Sequence, residues 1–236
     1  MHPLDNVIWN ALNTSQIHLG VGYGVARKFH RDVSLLGGVS EPCDEAYDVL
    51  AELVDDGERV GLFLVEDPKP PSNWKIVASM SLLQMLHQNG TSLMADANPV
   101  AFHQLEQADV PEMLALTKLT KPGPFASRTR EMGDYFGIRK DGALVAMAGE
   151  RLRLPGFTEI SAVCTHPDHL GQGHARRLIA LLLGRIQGRR ERAFLHVRED
   201  NARAVELYER MGFRSRVSVK YALLSKEPGK APDSRG

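Results

Sequence analysis

The sequence predicts a mixed α/β (α+β) protein, in which strands and helices alternate along the chain. Residues 173–190 place leucine and isoleucine at the three- and four-residue spacing of an amphipathic helix. Residues 157–167 form a further strand-like segment, and Pro167 stops the strand from continuing. Lys140-Asp141-Gly142 separates two further strand-like segments and has the composition of a hairpin turn. These patterns indicate a sheet flanked by helices.

The second half of the chain continues this alternation on both sides of the amphipathic helix. A helix is predicted at residues 108–120, with Asp109 as its N-cap and Pro111 in its first turn. Three further elements follow residue 190: a strand at 192–197, a helix at 201–212 that Gly212 closes, and a strand at 213–224.

The first half of the chain contains fewer regular patterns. A helix is predicted at residues 44–57 and strands at 60–67 and 75–86, and the polar, turn-rich residues 87–99 form a candidate boundary. The expected division is into an N-terminal accessory region, a second domain and a polar, disordered tail, at residues 1–98, 99–224 and 225–236.

Composition limits the function classes. The chain has 236 residues, 43% of them hydrophobic and 25% charged, as in an ordinary globular protein. Lys plus Arg equals Asp plus Glu at 29 each, so net charge gives no reason to expect a nucleic-acid partner. Cys43 and Cys164 are too few and too far apart for a disulfide framework or a zinc site, and no metal is expected. With no signal-peptide pattern and no apolar run of membrane-spanning length, we expect a cytoplasmic protein without a membrane partner.

A glycine turn follows the strand predicted at residues 157–167. Regular alternation would place Glu159, Ser161, Val163 and Thr165 on one face of that strand. The turn glycines, Gly171 and Gly173, let the backbone bend tightly, and the first amides of the next helix have no intrahelical acceptor. The sequence therefore predicts an anion cradle suited to a phosphate or pyrophosphate, to which Arg176 or Arg177 could add charge. A simple strand-to-helix turn without a ligand is the alternative.

Two motifs in order identify a family. Residues 170–175, LGQGHA, are followed by residues 201–213, NARAVELYERMGF. Together they resemble the GNAT superfamily of acyl-CoA-dependent N-acyltransferases, most clearly over residues 140–224. Gly173 and Ala175 fit the first motif, whereas Leu170 stands where the family prefers Gln or Arg. The resemblance implies a mixed, mostly antiparallel sheet, and a branch that includes glycine N-acyltransferase. It leaves the first 98 residues as either a degenerate GNAT-like half or an accessory region.

The resemblance also implies a binding site for acyl-CoA. The pyrophosphate would lie on the amides of Leu170, Gly171, Gln172, Gly173, His174 and Ala175, with Arg176 as a further contact. The pantetheine arm would pair with the strand edge at Val163, Cys164 and Thr165, and the amide of Val163 would face the thioester carbonyl. Asn201 would either contact the cofactor or cap its helix.

Candidate catalytic residues follow from the same resemblance. Tyr208, seven residues after Asn201 and so on nearly the same helix face, is the candidate acid for the leaving thiolate. Its alternative role is a core tyrosine with a satisfied hydroxyl. Glu159 is the candidate base, about 13 Å from Val163 at about 3.3 Å per residue, and would act through water. Glu150 is the second candidate, and either carboxylate could instead bind a cationic substrate or lie at a solvated edge.

The resulting prediction is an N-acyltransferase that moves acetyl from acetyl-CoA to a primary amine. The amine would attack the thioester directly in a ternary complex, and the loop at residues 121–129 would border the acceptor pocket. A regulatory or interaction domain that binds CoA without catalysis is the alternative. A nucleotide-binding domain is disfavoured because no Gly-Lys-Ser/Thr follows the turn.

Overall fold

The computed structural model describes residues 2–88 and 101–227. Five α-helices occur in the described chain: α1 (Val7–Leu12), α2 (Asp44–Leu53), α3 (Val110–Thr120), α4 (His174–Gly188) and α5 (Ala202–Arg210). Its strands are β1 (Gly20–Tyr23), β2 (Ala26–Phe29), β3 (Gly37–Val39), β4 (Arg59–Leu64), β5 (Trp74–His87), β6 (His103–Gln104), β7 (Tyr135–Lys140), β8 (Ala143–Leu154), β9 (Phe157–Thr165), β10 (Arg192–Arg198) and β11 (Phe213–Lys226).

The main sheet has eight strands in the order β4-β11-β5-β10-β9-β8-β7-β6. Its neighbours are antiparallel except for β9 and β10, which are parallel. The mixed, mostly antiparallel class predicted from the sequence is thus confirmed. A second, three-stranded sheet consists of β1, β2 and β3.

The N-terminal region contributes two strands to the main sheet. Strand β5 lies between β10 and β11 and pairs with β11 along its whole length, from Trp74 to His87. The expected boundary near residue 98 falls outside the described residues. Residues 1–98 thus contribute β1, β2 and β3 to the small sheet and β4 and β5 to the main sheet, and the division into domains stays a prediction.

Helices cover the main sheet on two faces. The α4 face packs Ile160 and Phe213 against Leu178 and Leu182 of α4, and it also buries Tyr208 of α5. The α3 face packs Tyr135, Met147 and Cys164 against Met113 of α3. Further along the α3 face, α1 and the small sheet bury residues that include Ile8, Phe29 and Phe194.

Local predictions were confirmed where short-range patterns decide the backbone. The hairpin joins β7 and β8 at Asp141 and Gly142, which both have positive φ. Pro111 lies in the first turn of α3, but the Asp109 carboxylate accepts a hydrogen bond from the Glu106 amide at 2.8 Å and does not cap α3. A 3-10 turn at Gln107–Asp109 precedes the helix, and the Asp109 carboxylate forms its hydrogen bond within the capping box of that turn.

Two expectations concern the chain end and the membrane. Strand β11 continues through Lys226, so residues 225 and 226 belong to the strand and not to the predicted tail, and residues 228–236 lie outside the described chain. Within residues 2–88 and 101–227, none of the helices combines the length and apolarity needed to cross a bilayer. The cytoplasmic location stays a prediction.

Candidate active site

Strands β9 and β10 separate from each other after a short parallel contact. Residues Arg192–Phe194 pair with residues Phe157–Glu159, and no pairing between the two strands extends beyond Glu159 in the described sheet. Strand β9 continues to Thr165, while the opposite edge of β10 pairs with β5. The facing edge of β9 therefore carries backbone groups that need partners, and an extended ligand can supply them as an added strand would.

A β-bulge interrupts β9 beside this gap. Gly149 and Met147 of β8 pair with Ser161 and Cys164 of β9, so two residues of β9 stand opposite one residue of β8. Ala162 within the bulge has a φ of 51°. Bulges of this kind change the direction of the following side chains and are common beside active sites.

The bulge corrects the face expected for the site residues. Ser161 and Cys164 lie on the α3 face because they pair with Gly149 and Met147, which are two residues apart on β8. Val163 instead packs within the cluster beneath α4. Glu159 and Ser161 precede the bulge and share a face as expected, but the prediction that Val163 and Thr165 lie on that same face was wrong, since the extra residue reverses the alternation after Ser161.

The glycine turn has the geometry that only glycine adopts easily. Gly171 and Gly173 have φ values of 76° and 75°, and a Cβ on either would meet no atom within 4 Å. Gly173 is the N-cap of α4, and the amide of Arg177 donates to the Gly173 carbonyl at 3.1 Å. As the first residues of α4, His174 and Ala175 have no intrahelical acceptor for their amides, which lie at the positive end of the helix dipole. The turn can therefore hold an anion.

Side chains brace the turn from one side. Arg177 donates to the backbone carbonyl of Gln172 at 3.0 Å, and Lys140 donates to the Gln172 side-chain oxygen at 2.6 Å. Leu170 is 52% exposed, in the position that departs from the family motif. Ala175 and Arg176 are half-buried in the first turn of α4. The predicted cofactor residues of this segment thus form one continuous turn, of which residues 170–173 are exposed.

The side chain of His174 is buried, unlike the exposed residues of the turn before it, and neither ring nitrogen has a hydrogen-bond partner among the described residues. Burial, followed by the charges of Lys140 and Arg177, lowers the pKa of His174 below its usual value. Only its backbone amide is available to a ligand at the turn.

Helix α5 carries the second motif. The Asn201 side chain accepts a hydrogen bond from the Ala204 amide at 3.2 Å, which confirms the helix cap, and a contact with the cofactor stays a prediction. Asp200 pairs with Arg198 and takes no part in the cap. Tyr208 is buried and packs edge-to-face with Phe213, with 5.9 Å between the two ring centroids. Burial raises the pKa of Tyr208 to about 12, so the phenol stays protonated at neutral pH.

Glu159 has an environment that argues against the predicted role of general base. Its side chain has no exposed surface and accepts hydrogen bonds from Arg151 Nε and Nη2 at 2.8 and 2.7 Å. The Nδ1 atom of His196 lies 2.7 Å from Oε1 of Glu159, the oxygen that also accepts from Arg151 Nη2. Burial alone would raise the pKa of Glu159, but the Arg151 charge and these hydrogen bonds outweigh it and lower the pKa to about 2. Such a carboxylate takes no proton from an amine.

Glu150, the second candidate base, is also inaccessible. Its side chain has no exposed surface and pairs with Arg189, just after the C-terminal end of α4, at 2.7 Å. The residues predicted as bases are therefore structural in this fold, and a carboxylate open to the site is not found among the residues placed around β9.

A pocket lies on the α3 face, directly beside the bulge. Ser161 and Ala162 of β9 line it together with Tyr135, Arg151 and Thr129, and the loop residues Pro122, Gly123, Pro124 and Phe125 close it. A wider groove along α3 shares Gly123 and Phe125 with it. The loop thus borders a pocket at the site, as the sequence predicts. Tyr135 and Arg151 were missed because their strands look like ordinary core strands.

Comparison with known proteins supports the motif assignment. Residues 135–222 match the family model described as FR47-like protein. The chain is 35% identical over 133 residues to the N-alpha-acetyltransferase RimI of Mycobacterium tuberculosis, a match that covers 52% of this chain and 83% of that protein.

Solved structures show the same fold. A structure from Novosphingobium aromaticivorans, assigned as an acetyltransferase of the GNAT family, superposes with a TM-score of 0.89 at 36% identity. It covers 97% of this chain and all of its own. A GCN5-related N-acetyltransferase from Kribbella flavida matches 96% of this chain and 98% of its own with a TM-score of 0.60 and 18% identity, which is a likeness of fold.

Proposed function

The chain belongs to the GNAT family of acetyltransferases, and we propose that it transfers acetyl from acetyl-CoA to the nitrogen of a primary amine. The observation that carries this proposal is the bulge at Ala162 and Val163. The edge of β9 at the bulge faces the gap between β9 and β10, which lies before the glycine turn. On the α3 face of the sheet, Ser161 and Ala162 form the floor of the pocket. A thioester and an amine bound from opposite sides would meet at the bulge.

The cofactor would bind largely through backbone groups. The amides of residues 171–175 and the side chain of Arg176 would hold the pyrophosphate, and no atom lies within 4 Å of a Cβ built on Gly173. The amide of Leu170, the remaining predicted donor, already donates to the Pro167 carbonyl at 3.3 Å. The pantetheine arm would pair with the edge at Val163, Cys164 and Thr165. Asn201 lies at the start of α5, where its amide nitrogen is not needed for the cap.

The amide of Val163 would stabilise the charge that develops on the thioester oxygen when the amine attacks. The new C–N bond forms as the C–S bond breaks, and the thiolate takes a proton from Tyr208. A phenol with a pKa of about 12 is a weaker acid than a thiol with a pKa of about 8.5. Proton transfer to the departing thiolate is therefore unfavourable by about three to four pKa units on the solution scale, and the same burial that weakens the Tyr208 acid would raise the pKa of a thiol beside it and so reduce this difference.

The amine would lose its proton to solvent. Neither Glu159 nor Glu150 is accessible as a base. The amine therefore has to enter the pocket neutral, or release its proton to water in the loop-bordered pocket. Activity should then rise with pH until the acceptor amine itself is deprotonated.

Two finer assignments accompany the proposal. The branch that includes glycine N-acyltransferase and the degenerate GNAT-like origin of residues 1–98 both rest on the sequence resemblance. The position of β4 and β5 within the main sheet supports a role for this region in completing the fold. The contact between Thr129 and the Val33 carbonyl at 2.6 Å places the same region against the acceptor loop.

The inaccessible carboxylates favour one alternative, a domain that binds CoA without turnover. The experiment that separates the two follows acetyl-CoA and a panel of amines by thiol release and by the mass of the product. Acetylated product formed by the parent and strongly reduced in Tyr208→Phe supports the enzyme. Saturable CoA binding with no product from any amine supports the binding domain.

A further inference from the structure

We infer that the protein forms a symmetric dimer, in which the free edge of β5 at residues 75–80 pairs with the same edge of a second copy of the chain. This edge carries none of the residues of the proposed acetyl-transfer site, and the inference does not depend on that chemistry. The second copy is the occupant because the edge is complementary to itself in backbone hydrogen bonding, in apolar surface and in charge.

Strand β5 is paired on only one edge over the first half of its length. Strand β11 accompanies it along its whole length, whereas β10 pairs with it only at residues 82–86. The next contact on the β10 side is the Glu199 amide, which donates to the Ser81 carbonyl at 3.3 Å. No described strand continues along that edge beside residues 75–80. The backbone groups directed to this edge can therefore pair with an added strand.

The side chains along the free edge are exposed and mostly apolar. Residues 75–80 are open to solvent, and residues 76–80 read Ile-Val-Ala-Ser-Met. Ile76, Val77 and Met80 are 41%, 40% and 36% exposed. Proteins commonly protect a free edge strand with charged side chains or proline, because such an edge otherwise pairs with another chain. Residues 76–80 contain neither, so this edge is suited to strand addition.

An antiparallel pairing of β5 with itself is closed by a two-fold axis. Each copy presents the same segment, so every hydrogen bond and apolar contact of one copy is repeated by the other, and the assembly stops at two chains. Strand β10 is also antiparallel to β5. The added strand would therefore run in the direction of β10 and continue its row in the sheet beyond Arg198.

The charges at the two ends of the edge favour the antiparallel alignment. Lys75 lies at the beginning of the free edge, and Glu199 lies at its other end, next to Ser81. In an antiparallel pair centred on residues 78 and 79, Lys75 of each copy approaches Glu199 of the other. A parallel pair would instead place the two Lys75 side chains beside each other. Opposite charges across neighbouring strands stabilise a pairing, and like charges oppose it.

The C-terminal segment is the alternative occupant from within the chain. Strand β11 pairs Lys226 with Trp74, so residues 228–236 follow from the same end of the free edge. Pro228 and Pro232 have no amide proton, and three charged residues lie between or after them. A segment of this composition cannot supply a continuous hydrogen-bond ladder to five uncharged residues. A second β5 can supply it.

Sedimentation equilibrium of the full chain tests the inference. We expect a reversible association of the 26.1 kDa chain to twice that mass, with a dissociation constant in the micromolar range. Val77→Lys places like charges near the two-fold axis and should weaken association at least about tenfold. A register shift leaves Val77 without a partner on β11, so this substitution removes no ladder pair. Val65→Lys is the matched control, because Val65 is 44% exposed and lies just beyond β4.

Cysteine cross-linking locates the axis. Ala78→Cys and Ser79→Cys are made separately in a Cys43→Ser background, which removes the exposed native thiol. Directly opposed residues of antiparallel strands have Cα atoms about 4.5–5.5 Å apart, which a disulfide can span. With oxidised glutathione, we expect one of the two variants to form a covalent dimer, whereas Val65→Cys should remain a monomer on a denaturing gel.

Three results would overturn the inference. The first is a parent that stays monomeric at about 100 µM. The second is a dimer that Val77→Lys weakens no more than Val65→Lys does, since the contact would then lie on another surface. The third is a monomeric parent that dimerises only when the chain ends at Glu227, since the C-terminal segment would then cover the edge. Thermal unfolding of each variant confirms that it is folded, and none of these results bears on the proposed acetyl transfer.

Discussion

Arg151 donates two parallel hydrogen bonds to Glu159, at 2.8 and 2.7 Å, and the carboxylate between them has no exposed surface. Because of this pair, Glu159, which the sequence suggests as a general base, is a buried ion-pair partner within the sheet. It lies on the α3 face, against the ring of Phe63 and next to His196. The pair joins β8, β9 and β10 at the level where β9 and β10 begin to separate.

Acid should destabilise the protein through this pair. The pKa of Glu159 is about 2 in the folded protein and near 4.5 when unfolded, so the unfolded state binds more protons between these values. The stability that Glu159 contributes is fully present above pH 4.5 and is lost as pH falls towards 2. Urea unfolding at pH 7 and pH 3 should show a smaller pH-dependent loss in Glu159→Gln than in the parent. Equal losses would contradict the assignment.

His174 should limit stability. Replacing it with leucine removes two buried ring nitrogens that have no partner and should stabilise the fold by about 1–3 kcal/mol. Because the pKa of His174 is lowered on folding, the unfolded state binds the extra proton, and the parent loses stability as pH falls through 6.5. Thermal unfolding at pH 8 and pH 5.5 should show a larger gain for His174→Leu at pH 5.5. A less stable variant would contradict this prediction and indicate that a His174 ring nitrogen makes a hydrogen bond in the folded protein.

Tyr208→Phe separates the proton donor from a core tyrosine. The phenol ring is buried beside Phe213, and burial is the cause of its raised pKa. Loss of the hydroxyl should therefore change the free energy of unfolding little. As a general acid it should be worth about 10²- to 10⁴-fold in kcat. Single-turnover rates with saturating acetyl-CoA measure this directly. Unchanged rates would leave Tyr208 as a packing residue.

Asn201 has two roles that a pair of variants can distinguish. Asn201→Ala removes the cap of α5 and should cost about 1 kcal/mol, whereas Asn201→Ser keeps a capping oxygen and should retain stability. If the Asn201 side chain also contacts the cofactor, both variants should bind acetyl-CoA more weakly. Normal affinity in Asn201→Ser would restrict the residue to the cap.

The glycine turn was predictable because its conformation depends on local residue types. Gly171 and Gly173 have φ values near 75°, which glycine adopts most easily, so the two glycines already indicate the bend in the sequence. Helices α4 and α5 likewise follow from short-range periodicity and from the Asn201 cap. The bulge was not predictable, because Ala162 carries no signature for a φ of 51°. Its effect on the faces of Val163 and Thr165 therefore appears only in the paired strands.

Long-range partners account for the remaining differences. Arg151 and Glu159 are eight residues apart across a hairpin whose β8 strand also carries a register shift, so their pairing depends on that irregular register. The insertion of β5 between β10 and β11 joins segments more than a hundred residues apart. Neither feature has a local sequence pattern, although both decide which residues border the site.

The central claim is that the glycine turn binds acetyl-CoA, and calorimetric titration of three proteins tests it most directly. Gly173→Asp places a carboxylate where the pyrophosphate is proposed to lie. Gly156→Asp is the matched control, because Gly156 has the same positive φ and open surroundings in the turn between β8 and β9. We predict micromolar binding by the parent and by Gly156→Asp, and loss of binding in a folded Gly173→Asp. Equal affinity in all three proteins, or no binding by the parent, would contradict the account.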